Sequence, residues 1–590
     1  MSLGDFLVKS AEDAGIDVAH GTGIPALKAW FKPYEHQERA VKKLFNNRGK
    51  IILAHEMGTG KTVTSIYGFE KLRHRGKATK ALVVVPSGLR SNYAEGGVEK
   101  FTESSYQVVG SSTERSSKEN YVRPNGIDPE KTYTIISYAM FRRDPTGYMK
   151  ATGADTLIFD EFHKTRNESS STFKAAAQAR PFAKNFIGMT GSLINNHPAE
   201  IATLMSLSEM NREMTPAQFK RKFTQTIGFA KGFGGGKKKV IGLKNVPKLI
   251  EKTNPRLSYV SSDQLKGQTM PRKDTKNVFV PMSKEQYEYY QLALDRLGPI
   301  KERIVRRDPH VSVKGADQLF AQLSKARQIS NAVHTARDDM TLAQSAGKSP
   351  KVKKVLDDAE KHLHGAEDGK VVIYSNLIRG GVDVLSAGLR ERGIPHALFI
   401  GKGTEIHGKK VTSQTRQQGV KAFKGGKKRV IVVSGAGAEG LDLKNATAFY
   451  ALDGHFNPER ILQAEGRARR LGGQKHRPKE QRVVDVRRYQ SVVPESARPG
   501  FFGKLIGRQA PRTTDEWMYG VAGSKHKATK DFYTAIKQAP KHIYKYRDEN
   551  GKLRYVYPKK PKQGFFSKLL SFGGTPSQGA PTPPGPPSFP

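Results

Sequence analysis

A chain of 590 residues is too long for one hydrophobic core, while 36% hydrophobic and 26% charged residues are ordinary for a globular protein. There is no cysteine, which excludes disulfides, cysteine-ligated zinc and thiol nucleophiles. Lys and Arg total 100 against 55 Asp and Glu, a net charge of +45, so the expected partner is a polyanion: nucleic acid first, an anionic membrane surface second.

Residues 1–30 read as a short lead-in. They lack a basic segment followed by an apolar one, so no secretory signal is read, and no apolar run in the chain reaches the roughly 18 residues of a membrane span. Over 31–205, apolar runs alternate with helical patterns: IILAH (51–55), ALVVVP (81–86), YTIISY (133–138), DTLIFD (155–160) and NFIGMTG (185–191). Each is short, rich in Ile, Val or Leu, and followed by polar or turn residues, the pattern of buried parallel strands. The alternation predicts a doubly wound α/β domain.

Residues 206–368 read as a mostly helical insertion and linker. Within it, GFAKGFGGGKKK (228–239) is glycine-rich and basic, and fits a solvated linker as well as a DNA-contacting loop. A second strand series follows: KVVIYSN (370–376), PHALFIG (395–401), RVIVVSG (429–435), ATAFYALD (446–453) and QRVVDVRRY (481–489). It predicts a second α/β domain over 369–540. HIYKYRDENGKLRYVYP (542–558) alternates aromatics around Asn550-Gly551 and predicts a β-hairpin over 541–558. The proline-rich 559–590 is expected to be a disordered tail. The near-repeat GFFGKLIG (500–507) and GFFSKLLS (564–571) reads first as ordinary packing or coincidence, and second as an element that docks in a partner groove or touches a membrane; a protein partner through the C-terminal tail is the matching expectation.

The stretch LAHEMGTGKT (53–62) ends as a phosphate-binding loop does, with Gly60, Lys61 and Thr62, but holds His55 where a first glycine is usual. A strand enters it and a helix leaves it. Backbone N–H groups around Gly58, Thr59 and Gly60 would hold phosphate oxygens, Lys61 would reach the β- and γ-phosphates, and Thr62 a Mg²⁺ ion. ATP and Mg²⁺ are therefore the expected cofactors. In IFDEFHKTRN (158–167), Asp160 and Glu161 stand at the same strand edge. Asp160 suits the metal and Glu161 the attacking water, although an Asp-Glu pair elsewhere is usually a solvated surface pair. Thr190 and Ser192 of MTGSLINN (189–196) could couple the nucleotide site to a nucleic-acid face. Arg467 and Arg470, three apart on one predicted helix face, could cross a cleft to the transferring phosphate or simply face solvent or DNA.

Taken together these segments resemble superfamily-two helicase motors, and among them the Swi/Snf-like DNA translocases. LAHEMGTGKT resembles motif I of that family, VVVPSGLRSNYAEGGVEKF (83–101) motif Ia, DEFHKTRN the Asp-Glu-x-His box, and MTGSLINN motif III. KVVIYSN resembles motif IV, SGAGAEGLDL motif V and FNPERILQAEGRARRLGGQ motif VI, all in the family's order over roughly 30–535. FKPYEHQERAV (31–41) resembles the Q motif, with Gln37 as adenine reader. The departures are His55 for Asp, Phe162 for a small residue, Lys164, Thr165 and the extra Gly473. The resemblance implies two RecA-like parallel-sheet domains in tandem that bind ATP between them. It also implies a catalytic set of Lys61, Glu161, Arg467 and Arg470, and movement along nucleic acid, with double-stranded DNA as the first candidate. Two alternatives stand beside it: an RNA-directed helicase, and a basic packaging protein with a vestigial nucleotide site. The lack of accessory modules suits a microbial or viral genome.

Overall fold

The computed structural model describes residues 23–110, 122–194, 199–209, 215–227, 239–261, 270–298, 316–435, 443–498 and 510–520, save for isolated positions, with short pieces at 532–534, 544–547 and 553–556. Two all-parallel sheets organise them. The first contains β1 (Lys50–His55), β2 (Ala81–Val85), β3 (Tyr106–Val108), β4 (Tyr133–Ser137), β5 (Thr156–Phe159), β6 (Asn185–Met189) and β7 (Leu257–Val260), in the order β3-β4-β2-β5-β6-β1-β7. The second contains β8 (Arg272–Pro281), β9 (Val371–Ser375), β10 (His396–Phe399), β11 (Val430–Ser434), β12 (Ala448–Ala451) and β13 (Val483–Val492), in the order β8-β13-β12-β9-β11-β10. Four helices matter below: α1 (Glu35–Asn46), α2 (Lys61–His74), α3 (Ala316–Asn331) and α4 (Pro458–Ala468).

Apart from the polar edge strand β8 and the charged positions of β13, the strands are largely apolar because helices cover both faces of each sheet. Ile52, Ala54, Leu82, Val84 and Leu157 point into one core of the first sheet; Ile51, Leu53, Val83, Val85 and Ile158 point into the other. The second sheet repeats the division, with Val371, Ile373, Val430 and Val432 on one side and Val372, Tyr374, Ile431 and Val433 on the other. This two-residue alternation is what the pleat dictates. All ten apolar runs read from the sequence form strands, so the tandem parallel-sheet fold is as expected.

The stretch 206–368 holds more than helices. It supplies β7, which pairs with β1 from Ile52↔Leu257 to His55↔Val260, and β8, which pairs with β13 along its whole length. Neither carries a period-two apolar signal. β7 is four residues long, and β8 is a mostly exposed edge of polar residues. The same stretch contributes an antiparallel pair, Thr224–Ile227 with Lys239–Leu243, flanking the glycine-rich segment, of which 228–238 lie outside the described residues. Tyr290 and Leu294 there pack with Leu323 and Ile329 of α3 and with Trp517 and Met518.

The end of the lead-in is part of the core: Ile24, Leu27 and Phe31 pack against Val41 and Tyr67. Tyr544–Arg547 and Leu553–Val556 pair antiparallel on either side of Asn550-Gly551, whose turn lies outside the described residues, as do residues 557–590 and both near-repeats. Among the described residues no helix is long and apolar enough to cross a membrane.

Candidate active site

β1 delivers the chain to the phosphate-loop candidate and α2 begins at Lys61. Gly58 (φ 79°) and Gly60 (φ 84°) are left-handed, a conformation glycine adopts at no steric cost. Lys61 Nζ donates to the carbonyls of His55 (2.9 Å) and Glu56 (3.3 Å), and the Thr59 hydroxyl donates to Glu56 O (2.7 Å). Thr62 is the second residue of α2. The missing first glycine has a plain cause. Position 55 is still strand, with no left-handed turn to make.

His55 is fully buried, and its Nε2 lies 2.9 Å from Ser258 Oγ on β7. Burial, reinforced by the neighbouring charges of His36, Lys61 and Lys43, holds its pKa well below the usual imidazole range, so the ring is neutral. Where the family resemblance has Asp, a neutral imidazole fastens the loop strand to the edge strand of the sheet.

Gln37 is buried, and its Oε1 accepts the Tyr34 N–H (2.9 Å), capping α1. The neighbouring His36 reaches the loop: its Nε2 lies 3.0 Å from Thr59 O, and since a carbonyl only accepts, Nε2 carries the hydrogen. His36 had no role in the sequence reading. Its adjacency to Gln37 at a helix start was the available signal.

Asp160 and Glu161 follow β5 directly. The Tyr138 hydroxyl donates to Asp160 O (2.7 Å), and Asp160 Oδ1 accepts the Glu161 N–H (3.0 Å). Phe162, unexpected in place of a small residue, fits because β6 offers Gly188. A methyl group at Gly188 would lie 2.6 Å from the Phe162 ring, which also packs on Phe159 and Phe186.

His163 Nδ1 lies 3.3 Å from Glu161 Oε2 and 3.2 Å from Thr190 Oγ1. The Thr190 hydroxyl donates to Ser192 O (2.7 Å) and accepts the Ser192 N–H (3.0 Å). With that hydrogen committed, His163 Nδ1 faces acceptors on both sides and carries a proton. His163 thus joins Glu161 to Thr190 and Ser192, a link the sequence reading left without a carrier. Asn195 and Asn196 lie outside the described residues, as do 436–442 of the glycine-rich strand exit.

Arg467 occupies the last turn of α4, but the helix ends at Ala468, so Arg470 does not share a helix face with it as expected. Gly472-Gly473 disfavours continuation, and Gly473 N–H instead closes a turn onto Arg470 O (2.9 Å). The Arg467 charge nevertheless acts on Lys61, Asp160 and Glu161, and that of Arg470 on Lys61. Arg467 Nε is buried without a hydrogen-bond partner among the described residues.

Burial lowers the Lys61 pKa against the pull of Glu161 and Asp160. Burial and then the Glu161 charge raise that of Asp160. For Glu161 burial acts upward, but His163, Lys61 and Arg467 outweigh it and hold the group low. The two adjacent carboxyls are driven apart, and Glu161 is the one kept ionised. Left-handed glycines, a buried lysine, a split carboxyl pair and an unpartnered guanidinium nitrogen together fit a bound nucleotide.

The chain matches two family models: SNF2-related domain over residues 36–335 and Helicase conserved C-terminal domain over 351–472. It is similar to "Putative ATP-dependent RNA helicase L538" of Acanthamoeba polyphaga mimivirus, 22% identical over 82% of this chain and 94% of that one. It is similar to the ATP-dependent helicase YqhH of Bacillus subtilis, 23% identical over 77% of this chain and 75% of that one. It is also 25% identical to "Probable chromatin-remodeling complex ATPase chain" of Oryza sativa, but covers only 37% of its length. Among solved structures, the Sulfolobus solfataricus SWI2/SNF2 ATPase core in complex with dsDNA aligns over 88% of this chain and 99% of that one, at 21% identity and a TM-score of 0.35. The chain belongs to the SNF2-related family and is an ATP-dependent helicase/translocase core.

Proposed function

We propose that this enzyme is a duplex-DNA translocase that alternately closes and opens its two parallel-sheet domains around ATP. The observation that carries the reading is the close approach of the segment after α4 to the phosphate loop, where a methyl on Gly58 would lie 2.6 Å from Arg469 O and 3.3 Å from Arg470 Cα; the Arg467 charge bears on Lys61, Asp160 and Glu161 from the same side. Bound ATP supplies the transferable phosphoryl group, and Mg²⁺ neutralises its developing charge. Amides at Gly58, Thr59 and Gly60, the Lys61 ammonium and the start of α2 would hold the phosphates. Thr62 and Asp160 would hold the metal, and Gln37 would read the base.

Glu161, kept ionised, would orient the attacking water and accept its proton. Arg467 and Arg470 would face the phosphate charge across the cleft. His163 would transmit a change at Glu161 to Thr190 and Ser192, and so toward the nucleic-acid face. The net charge of +45 suits a phosphate backbone as the track.

The test is ATP hydrolysis at low salt by the wild type and Glu161→Gln, with duplex DNA, single-stranded DNA and duplex RNA as separate arms. Duplex DNA should stimulate the wild type most, with stimulation falling steeply as salt rises. The mimivirus relative is named an RNA helicase, and stimulation by RNA alone would replace the DNA reading with that one. Hydrolysis indifferent to every nucleic acid would end the motor reading.

A further inference from the structure

Two glycines face the side chain of Met57, the residue before Gly58: Gly466 near its base and Gly191 near its tip. Gly191 follows Thr190 at the exit of β6, and Gly466 lies inside α4. Neither has a left-handed φ, so neither backbone conformation requires glycine. The requirement is space. A methyl group on Gly466 would lie 2.3 Å from Met57 Cβ and 3.2 Å from its Cγ. One on Gly191 would lie 2.5 Å from Met57 Cε and 3.1 Å from its sulfur. The next residue extends the contact, since a methyl on Gly58 would lie 2.6 Å from Arg469 O and 3.3 Å from Arg470 Cα. Glycine inside a helix costs about 1 kcal/mol relative to alanine. Gly466 therefore weakens α4, and Met57 fills the notch it leaves.

We propose that Met57 is a positioning residue for closure of the two domains. Its side chain seats between Gly191 and Gly466, and this seat fixes how near the Arg467–Arg470 segment comes to the phosphate loop. The inference rests on the reading of Arg467 as facing the phosphates. The two contacts are unequal. Gly466 meets Met57 at Cβ, which the backbone holds in place. Gly191 meets the far end of the side chain, which can swing away into another rotamer. A methyl at 466 forces the domains apart; a methyl at 191 is absorbed.

The experiment measures duplex-DNA-stimulated ATP hydrolysis and the Kd of a fluorescent ATP analogue on the full chain. Gly466→Ala should lower kcat by about 100-fold, the cost of roughly an ångström of misplacement. Its nucleotide Kd should stay within about threefold and its melting temperature should not fall, since alanine favours helix. Gly191→Ala should change kcat by less than about threefold. Met57→Gly by itself should also lower kcat, since it removes the seat. In the double variant with Gly466→Ala the clash is gone, so the combined loss should fall short of the product of the two single losses by at least about tenfold. Unchanged turnover in Gly466→Ala, or single losses that simply multiply in the double variant, overturns the proposal. If Gly466→Ala fails to fold, Met57→Ala decides alone: a kcat loss at constant Kd supports the seat, and an unchanged kcat overturns it. Failure of the motor reading looks different, because the wild type itself would then show no stimulation.

Discussion

In the first domain, Lys61, Asp160 and Glu161 of the candidate site are oriented by partners from that same domain. Lys61 is held by the carbonyls of His55 and Glu56, Asp160 by Tyr138, and Glu161 by His163, itself set against Thr190. In the second sheet the ion pairs serve a different purpose. Glu465 of α4 takes Lys273 of β8 (2.7 Å) and Arg488 of β13 (3.0 Å), fastening the helix to the sheet edge, while Arg467 points its charge toward the other domain. Two sheets of one architecture thus divide the work. In the proposed cycle the first would bind nucleotide by itself, and the second would lend charge when docked.

The strongest way to break that division is to remove one charge from each side. Glu161→Gln and Arg467→Ala should each lower kcat by about 10³-fold while nucleotide binding persists. Equilibrium binding of a fluorescent ATP analogue checks this. Loss of binding in Arg467→Ala would mean that the first domain does not hold nucleotide alone. A second probe addresses the independence of the second domain. Lys351 and Asp515 form an ion pair with both side chains buried, and Asp515 also accepts the Ser491 N–H of β13 (2.9 Å). Asp515→Ala leaves a buried lysine unpaired and should cost about 3–5 kcal/mol. In denaturant this should appear in the transition of the second domain only; a matching shift in both would show that they unfold as one unit.

Acid should act on the first domain. Burial depresses the His55 pKa, so between that value and the ordinary imidazole value near 6.5 the unfolded chain binds a proton that the folded chain refuses. Stability is therefore complete above about pH 6.5 and falls as pH drops toward the depressed value, by at most about 1.4 kcal/mol per pH unit for each such histidine. Denaturation at a series of pH values should show a shallower acid slope in His55→Asn. An unchanged slope would assign the acid sensitivity to other buried histidines. The smallest effect belongs to Tyr138→Phe, which removes one hydrogen bond to Asp160 O and should cost about 1 kcal/mol of stability in the same measurement.

The sheets were legible because strands covered on both faces are mostly apolar, and the runs of both series are short and dominated by apolar residues, Asp485, Arg487 and Arg488 of β13 being the main exceptions. The loop was legible because phosphate chemistry needs glycine, lysine and a hydroxyl within a few residues of one another. β8 and β7 were not, since an exposed edge needs no apolar face and Ser258 breaks the short apolar run of β7. The shared helix face for Arg467 and Arg470 failed because spacing alone does not say where a helix stops.

The chain's own order of residues therefore determined the α/β class, the tandem sheets and the chemistry of the phosphate loop, all of which depend on neighbours close in sequence. Tertiary structure alone decided that His55 meets Ser258, 203 positions away, that His163 joins Glu161 to Thr190, and that Met57 finds Gly466. Each is a contact between segments remote in sequence, and only the packing of one element on another brings such groups within reach.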